Sequence, residues 1–232
     1  MSGEVPGNSD VGGPAFLAPP PLAGMRVAYR RGELTEADLR PTWSEQFDAW
    51  FADAVLDERV VEPNAIQLAT ADAAGRPSVR TVLAKAVTAD GLVFFTNHDS
   101  AKGRDLAAQP WAEAVFAWLP LERQVRLAGR TAPVPRAETE AYFATRPRES
   151  QLGAWASTQS HVVAGRDALD AALAAVEQRF AGMDVVPPPP GWSGFRLRPE
   201  RAEFWQGRMG RMHDRLQYRL DGSTWRVERL AP

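Results

Sequence analysis

At 232 residues, with 44% hydrophobic and 24% charged, the chain suits one large domain and can bury a core without metal or disulfide staples. It has no cysteine, which excludes disulfide frameworks, iron–sulfur clusters, zinc ribbons and thiol nucleophiles. A formal charge of −2 gives no global basic field for nucleic acid or membrane, no apolar run approaches the ~18 residues of a membrane span, and the N-terminus lacks a signal-peptide pattern, so a soluble cytoplasmic protein is expected.

Residues 1–24 hold five Gly and five Pro, two acids and no cation, and read as a disordered leader before a single domain over 25–232. Thr42-Trp43-Ser44-Glu45 is a capping box ahead of Phe47, Trp50, Phe51, Ala54 and Val55, whose spacing predicts an amphipathic helix ending before Pro63. Strand candidates follow at 66–71, 79–87 and 92–96, separated by Asp72 to Pro77 and by Ala89-Asp90-Gly91, which predicts two hairpins in series. A helix starting at Ser100 runs to Ala108, then strands are expected at 112–118 and from Gln124 toward Val134. Helices are read at 137–146 and 167–180, the second with Leu169, Leu173, Val176 and Phe180 on one face. After the stiff Pro187 to Pro190 spacer come strands at 194–197, 202–205, 216–220 and 225–230, with Asp221-Gly222 as a hairpin turn. Many short strands with few helices point to an α+β chain that is mainly β: a closed or nearly closed antiparallel barrel decorated by helices.

The common dinucleotide, P-loop, zincin and hydrolase-elbow motifs are missing. His98, His161 and His213 lie far apart in the chain, so no metal site is expected. Three polar constellations stand out. On the helix before Pro147, Tyr142 and Arg146 are i and i+4, with Ser150 just beyond, a set that suits a phosphate monoester; a solvated helix end with its arginine on C-terminal carbonyls explains the same spacing. Arg80 and Lys85 flank an apolar strand, as barrel-rim residues or as anion ligands. Being five apart, they face opposite sides of a regular strand and share a site only through a bulge or a subunit boundary. Lys85 and Lys102 are the only lysines among 27 basic residues, which favours a point-charge role at both. Phe204-Trp205-Gln206-Gly207 with Arg211-Met212-His213-Asp214-Arg215 offers a flat ring surface beside cations, or an arginine-rich strand with a paired Asp214.

Four stretches in order, Arg146-Pro-Arg-Glu-Ser-Gln-Leu-Gly-Ala-Trp155, Phe204-Trp-Gln-Gly207, Arg211-Met-His-Asp-Arg215 and Arg229-Leu-Ala-Pro232, resemble the pyridoxine/pyridoxamine 5'-phosphate oxidase family from about Met25 to the C-terminus. The resemblance implies a homodimeric split β-barrel with a C-terminal dimerisation segment at about 187–232 and flavin sites built across the subunit interface. It implies FMN held by Arg80, Thr81, Val82, Leu83, Lys85, Phe95, Thr96, Lys102, Gln124, Gln159, Ser160, Trp205 and Arg215. The substrate phosphate would be gripped by Lys85, Tyr142, Arg146 and Ser150. Arg211 and His213 would be the catalytic pair against the pyridine ring, and Arg26 and Tyr29 would sit on a mobile segment closing over substrate. The implied reaction oxidises pyridoxamine or pyridoxine 5'-phosphate to pyridoxal 5'-phosphate, with O2 as acceptor and hydrogen peroxide as product. Alternatives are a split-barrel flavin oxidoreductase for another planar substrate, such as a phenazine precursor, and a non-catalytic flavin- or pyridoxal-phosphate-binding protein. The chain departs from the family pattern at Ala101, where arginine is usual, at Phe95, where tyrosine is frequent, and at Arg208-Met209-Gly210; the first predicts weaker FMN retention.

Overall fold

Thr42 starts the first helix as its spacing predicts. In the computed structural model, which describes Met25 and residues 27–232, its side chain accepts from Glu45 N (3.2 Å) while the Glu45 carboxylate accepts from Thr42 N (3.1 Å). The leader and Arg26 lie outside the described residues. Helix α1 (Trp43–Leu56) buries Trp43, Phe47, Trp50 and Ala54, one helical face, whereas Val55 at the end of the expected stripe faces solvent.

The strands are β1 (Ala65–Ala71), β2 (Pro77–Leu83), β3 (Ala86–Thr88), β4 (Gly91–Asn97), β5 (Trp111–Trp118), β6 (Arg123–Pro133), β7 (Trp192–Gln206), β8 (Asp214–Asp221) and β9 (Thr224–Arg229). They form one antiparallel sheet with the path β2-β1-β5-β6-β7-β4-β3, and β8 and β9 continue from β7. The two ends of that path, β2 and β3, are consecutive in the chain, so the sheet curls into a half-barrel. Its interior is filled by Ile66, Leu68, Phe94, Phe116, Leu127, Leu197 and Phe204, and α1 packs on it through Phe47 and Trp50.

The split lies along β7. The 194–197 and 202–205 strands are one long strand, whose first half pairs with β4 and whose second half pairs with β8 on the same edge. Pro199, which has no N–H to donate, falls in the gap between those two partners. Opposite, β6 shifts register at Ala128/Gly129, where a Cβ on Gly129 would stand 1.9 Å from Arg198 O.

Two further expectations are corrected, and one helix is added. The 79–87 strand is broken at Ala84–Lys85, where Lys85 N donates to Val93 O (2.8 Å) as the chain crosses the barrel seam. Helix α3 (Arg136–Ala144) stops short of Arg146, because Pro147 disfavours helical geometry in the residue before it. Pro147 then opens a further helix, α4 (Arg148–Ala156), whose apolar pattern is too short to mark it as a helix in the sequence. Helix α2 (Ala101–Ala108), capped by Ser100, and α5 (Arg166–Arg179) fall where expected, although Leu169 is exposed and only Leu173, Val176 and Phe180 pack inward. Among the described residues no helix is long and apolar enough to cross a membrane.

Candidate active site

The seam at Ala84–Lys85, the end of β4 and the α3–α4 turn enclose a cavity of about 640 Å³. Lys85, Tyr142, Arg146 and Ser150 all line it, together with Val82, Leu83, Phe95, Thr96 and Gln159. Tyr142 and Arg146 therefore meet in one cavity without sharing a helix. Tyr142 stacks on Phe95 with ring centroids 4.1 Å apart, and Phe95 on Trp192 at 5.3 Å. The Arg146 guanidinium lies over Trp192 (4.8 Å), and its Nη1 is buried without a hydrogen-bond partner. Burial pushes the Arg146 pKa down, against an opposing pull from Tyr142. A buried guanidinium nitrogen with a donor to spare is costly unless an anion completes it.

Behind this wall, Lys102 on α2 donates to Thr96 Oγ1 (3.1 Å) and Gln159 Oε1 (3.2 Å). It is buried and has no carboxylate within salt-bridge distance among the described residues. Desolvation, then the nearby Arg80, lowers its pKa. Arg80 reaches the same region from β2, bonding Thr70 Oγ1 (2.6 Å) and pairing with Asp105 at 3.5 Å. The parity conflict between Arg80 and Lys85 is resolved within one chain: the strand ends before Lys85, which then turns to the cavity independently of the pleat.

Tyr29, Gln124, Trp205, Arg211 and His213 line a different concavity of about 630 Å³, which has no lining residue in common with the first. Tyr29 meets Trp205 edge-on at 5.7 Å and His213 at 5.6 Å. Gly210 (φ 66°) and Arg211 (φ 61°) both take left-handed backbone, a tight bend that sets the Arg211 side chain at the rim. Arg208 N donates to His213 Nδ1 (3.1 Å), which places the proton of the neutral ring on Nε2. Burial acts to raise the Asp214 carboxyl pKa, but Leu34 N–H and the Arg229 and Arg208 guanidiniums outweigh it and hold it below its usual value.

Not every expected ligand joins these two groups. Arg215 is engaged by Glu203 (2.7 Å) and Ala231 O (2.9 Å) beside a small separate cavity, because a buried carboxylate in the next strand claims it. Thr81 is exposed on β2, and Ser160 is exposed at φ 70° next to Gln159. Trp192, which backs Arg146 and Phe95, carries one sequence signal, its place two residues after the polyproline spacer.

Comparison with known proteins decides the family. The family model described as "Pyridoxamine 5'-phosphate oxidase" matches residues 52–180, and "Pyridoxine 5'-phosphate oxidase C-terminal dimerisation region" matches 192–232. This chain belongs to the pyridoxine/pyridoxamine 5'-phosphate oxidase family. It is 54% identical over 211 residues to the pyridoxine/pyridoxamine 5'-phosphate oxidase of Saccharopolyspora erythraea, covering 91% of this chain and 95% of that one. The same enzyme of Salinispora arenicola is 55% identical over 214 residues, with 91% and 96% covered. Among solved structures, PhzG from Burkholderia lata 383, in complex with tetrahydrophenazine-1-carboxylic acid, superposes with a TM-score of 0.76 at 31% identity, covering 84% of this chain and 98% of PhzG. A pyridoxamine 5'-phosphate oxidase-related, FMN binding protein of Nostoc punctiforme shares the fold at a TM-score of 0.65 and 22% identity, with 84% and 100% covered. The oxidase family's split barrel and its dimerisation region are thus both present, the latter spanning β7 to β9.

Proposed function

We propose that the chain oxidises pyridoxamine or pyridoxine 5'-phosphate to pyridoxal 5'-phosphate with FMN as cofactor, O2 as acceptor and hydrogen peroxide as product, at a site completed by two copies of the chain. The observation that carries this reading is the unpartnered, buried Arg146 Nη1 in a cavity it shares with Lys85, Tyr142 and Ser150. Two cations and two hydroxyls converging on one volume match the charge and lone pairs of a phosphate monoester. The oxidase relatives at 54–55% identity carry the substrate class.

Lys102 supports the cofactor assignment. A buried ammonium held by a hydroxyl and an amide, with no carboxylate within salt-bridge distance among the described residues, suits a second anion such as the FMN phosphate. Arg80, Thr96 and Gln159 would complete that end, and Val82, Leu83 and Phe95 would give it apolar contact. Bound FMN supplies the two-electron acceptor that the side chains of a cysteine-free chain do not themselves provide. Neither concavity alone has both an anion clamp and the Arg211/His213 pair, which argues for the two being brought face to face by dimerisation. In that arrangement one copy anchors the phosphate, while its partner's Tyr29, Arg211 and His213 meet the pyridine ring and fix the reacting carbon. With Nδ1 accepting from Arg208 N–H, His213 would offer a hydrogen-bond donor at Nε2.

The PhzG likeness favours a second reading, a planar substrate without phosphate. Such a substrate carries a carboxylate in place of a phosphate ester, and so offers Lys85, Tyr142, Arg146 and Ser150 fewer acceptor oxygens. Anaerobic addition of pyridoxamine 5'-phosphate to the FMN-loaded protein separates the two: bleaching of the flavin absorbance supports the proposal, and an unchanged spectrum refutes it.

A further inference from the structure

Residues 27–33 form no helix or strand, yet Tyr29 is set firmly against Trp205 and His213. Something other than secondary structure fixes this segment. Glu122 Oε2 accepts from both Arg30 N (2.8 Å) and Arg31 N (2.9 Å), two consecutive peptide donors immediately after Tyr29. The carbonyl of Glu122 accepts from Gly207 N (2.8 Å) and Gln206 Nε2 (3.2 Å), directly after Trp205. One residue therefore joins the Tyr29 segment, the start of β6 with Gln124, and the end of β7. Tyr29 packs against the bare backbone of Gly207, where a Cβ would come within 2.8 Å of its ring.

Glu122 sits in left-handed backbone (φ 55°), a conformation that glycine takes with less strain. What the side chain adds is the carboxylate, and among the described residues it makes no ion pair. Its charge is directed at the two peptide N–H groups. We propose that Glu122 is a positioning residue that clamps the segment behind Tyr29 and so presets the aromatic wall formed by Tyr29, Trp205 and His213. This rests on the reading that the concavity beside that wall takes the substrate ring.

Two variants of the full-length, FMN-loaded protein test it: E122A, which removes the acceptor, and the near-isosteric E122Q, which keeps one neutral oxygen and serves should the alanine variant fail to fold. Trypsin cleavage after Arg30 and Arg31, followed by mass spectrometry, reads the clamp directly, and is expected to accelerate about tenfold in E122A and less in E122Q. The KM for pyridoxamine 5'-phosphate is expected to rise about tenfold with kcat within about twofold, and not to rise further when E122A is added to Tyr29→Ala. Unchanged cleavage overturns the clamp, as do KM effects that multiply fully in the double variant. Faster cleavage in E122A, alongside a wild-type protein that does not turn over the substrate, upholds the clamp and overturns the substrate reading instead.

Discussion

Replacing Arg146 by alanine removes the one buried guanidinium nitrogen that lacks a partner among the described residues, and its consequence follows from that nitrogen's surroundings. A hydrogen bond between a charged donor and a phosphate oxygen is worth ~1.5–3 kcal/mol. At ~1.4 kcal/mol per factor of ten, the KM for pyridoxamine 5'-phosphate should rise about 10- to 150-fold. The guanidinium also covers Trp192 at 4.8 Å. That contact exists before substrate binds, so its loss of ~0.5–1 kcal/mol belongs to stability and should appear as a lower Tm. Arg146→Lys keeps the charge without the planar fork and should fall between the two. Peroxide release in steady state gives KM, and unphosphorylated pyridoxamine provides the control, because both proteins should handle it equally poorly. A KM within twofold of wild type, or the same loss on both substrates, would refute the phosphate role.

Lys102→Met replaces an unpaired buried ammonium with an apolar chain of similar length, so the apo protein should melt no lower while FMN binds about tenfold or more weakly in a fluorescence titration; unchanged affinity removes Lys102 from the cofactor site. Because the folded pKa of Lys102 is lowered below 10.5, the unfolded chain binds its proton more tightly, and the group adds stability as pH rises between those values; the methionine variant should lack that gain in denaturant melts. Tyr218 moves the other way: burial raises its pKa from 10.0 to about 12, so its stabilising contribution is full below pH 10 and disappears as pH rises through about 12. Tyr218→Phe should flatten that alkaline limb, and an identical limb in both proteins would contradict it. Gly129→Ala drives a Cβ to within 1.9 Å of Arg198 O at the split of the sheet, and a Tm drop corresponding to ~1–3 kcal/mol is expected, against no change if the bulge can simply open.

Local signals were readable where the chain makes its own decisions. The Thr42/Glu45 box, the Ser100 cap and the Asp221-Gly222 turn depend on residues within four positions of each other, and all three stand where the spacing puts them. The break at Lys85 was not readable, because it arises from the seam between β2 and β4, strands that meet only when the sheet curls. The continuity of β7 through Pro199 was hidden for the same reason. Proline usually ends a strand, and it is harmless here only because two different partners share that edge. Helix α4 carries too weak an apolar stripe to announce itself, since only Gln151 and Leu152 are buried along it.

The candidate site divides along the same line between local and long-range information. The motif residues Tyr142, Arg146 and Ser150 lie within nine positions of chain and group together on sequence spacing alone; Lys85 joins them only through the seam. The Arg211/His213 pair was equally visible as a motif, but no spacing in one chain says that it lies in a separate concavity from the anion clamp. On the proposed function, that separation gives the dimerisation region its functional meaning. If a single chain held both groups in one cavity, loss of dimerisation would cost stability alone. With the groups divided, a variant that stays folded as a monomer should retain Lys102-dependent affinity for FMN in part, yet lose turnover, because the ring-facing residues would no longer meet the clamped phosphate ester.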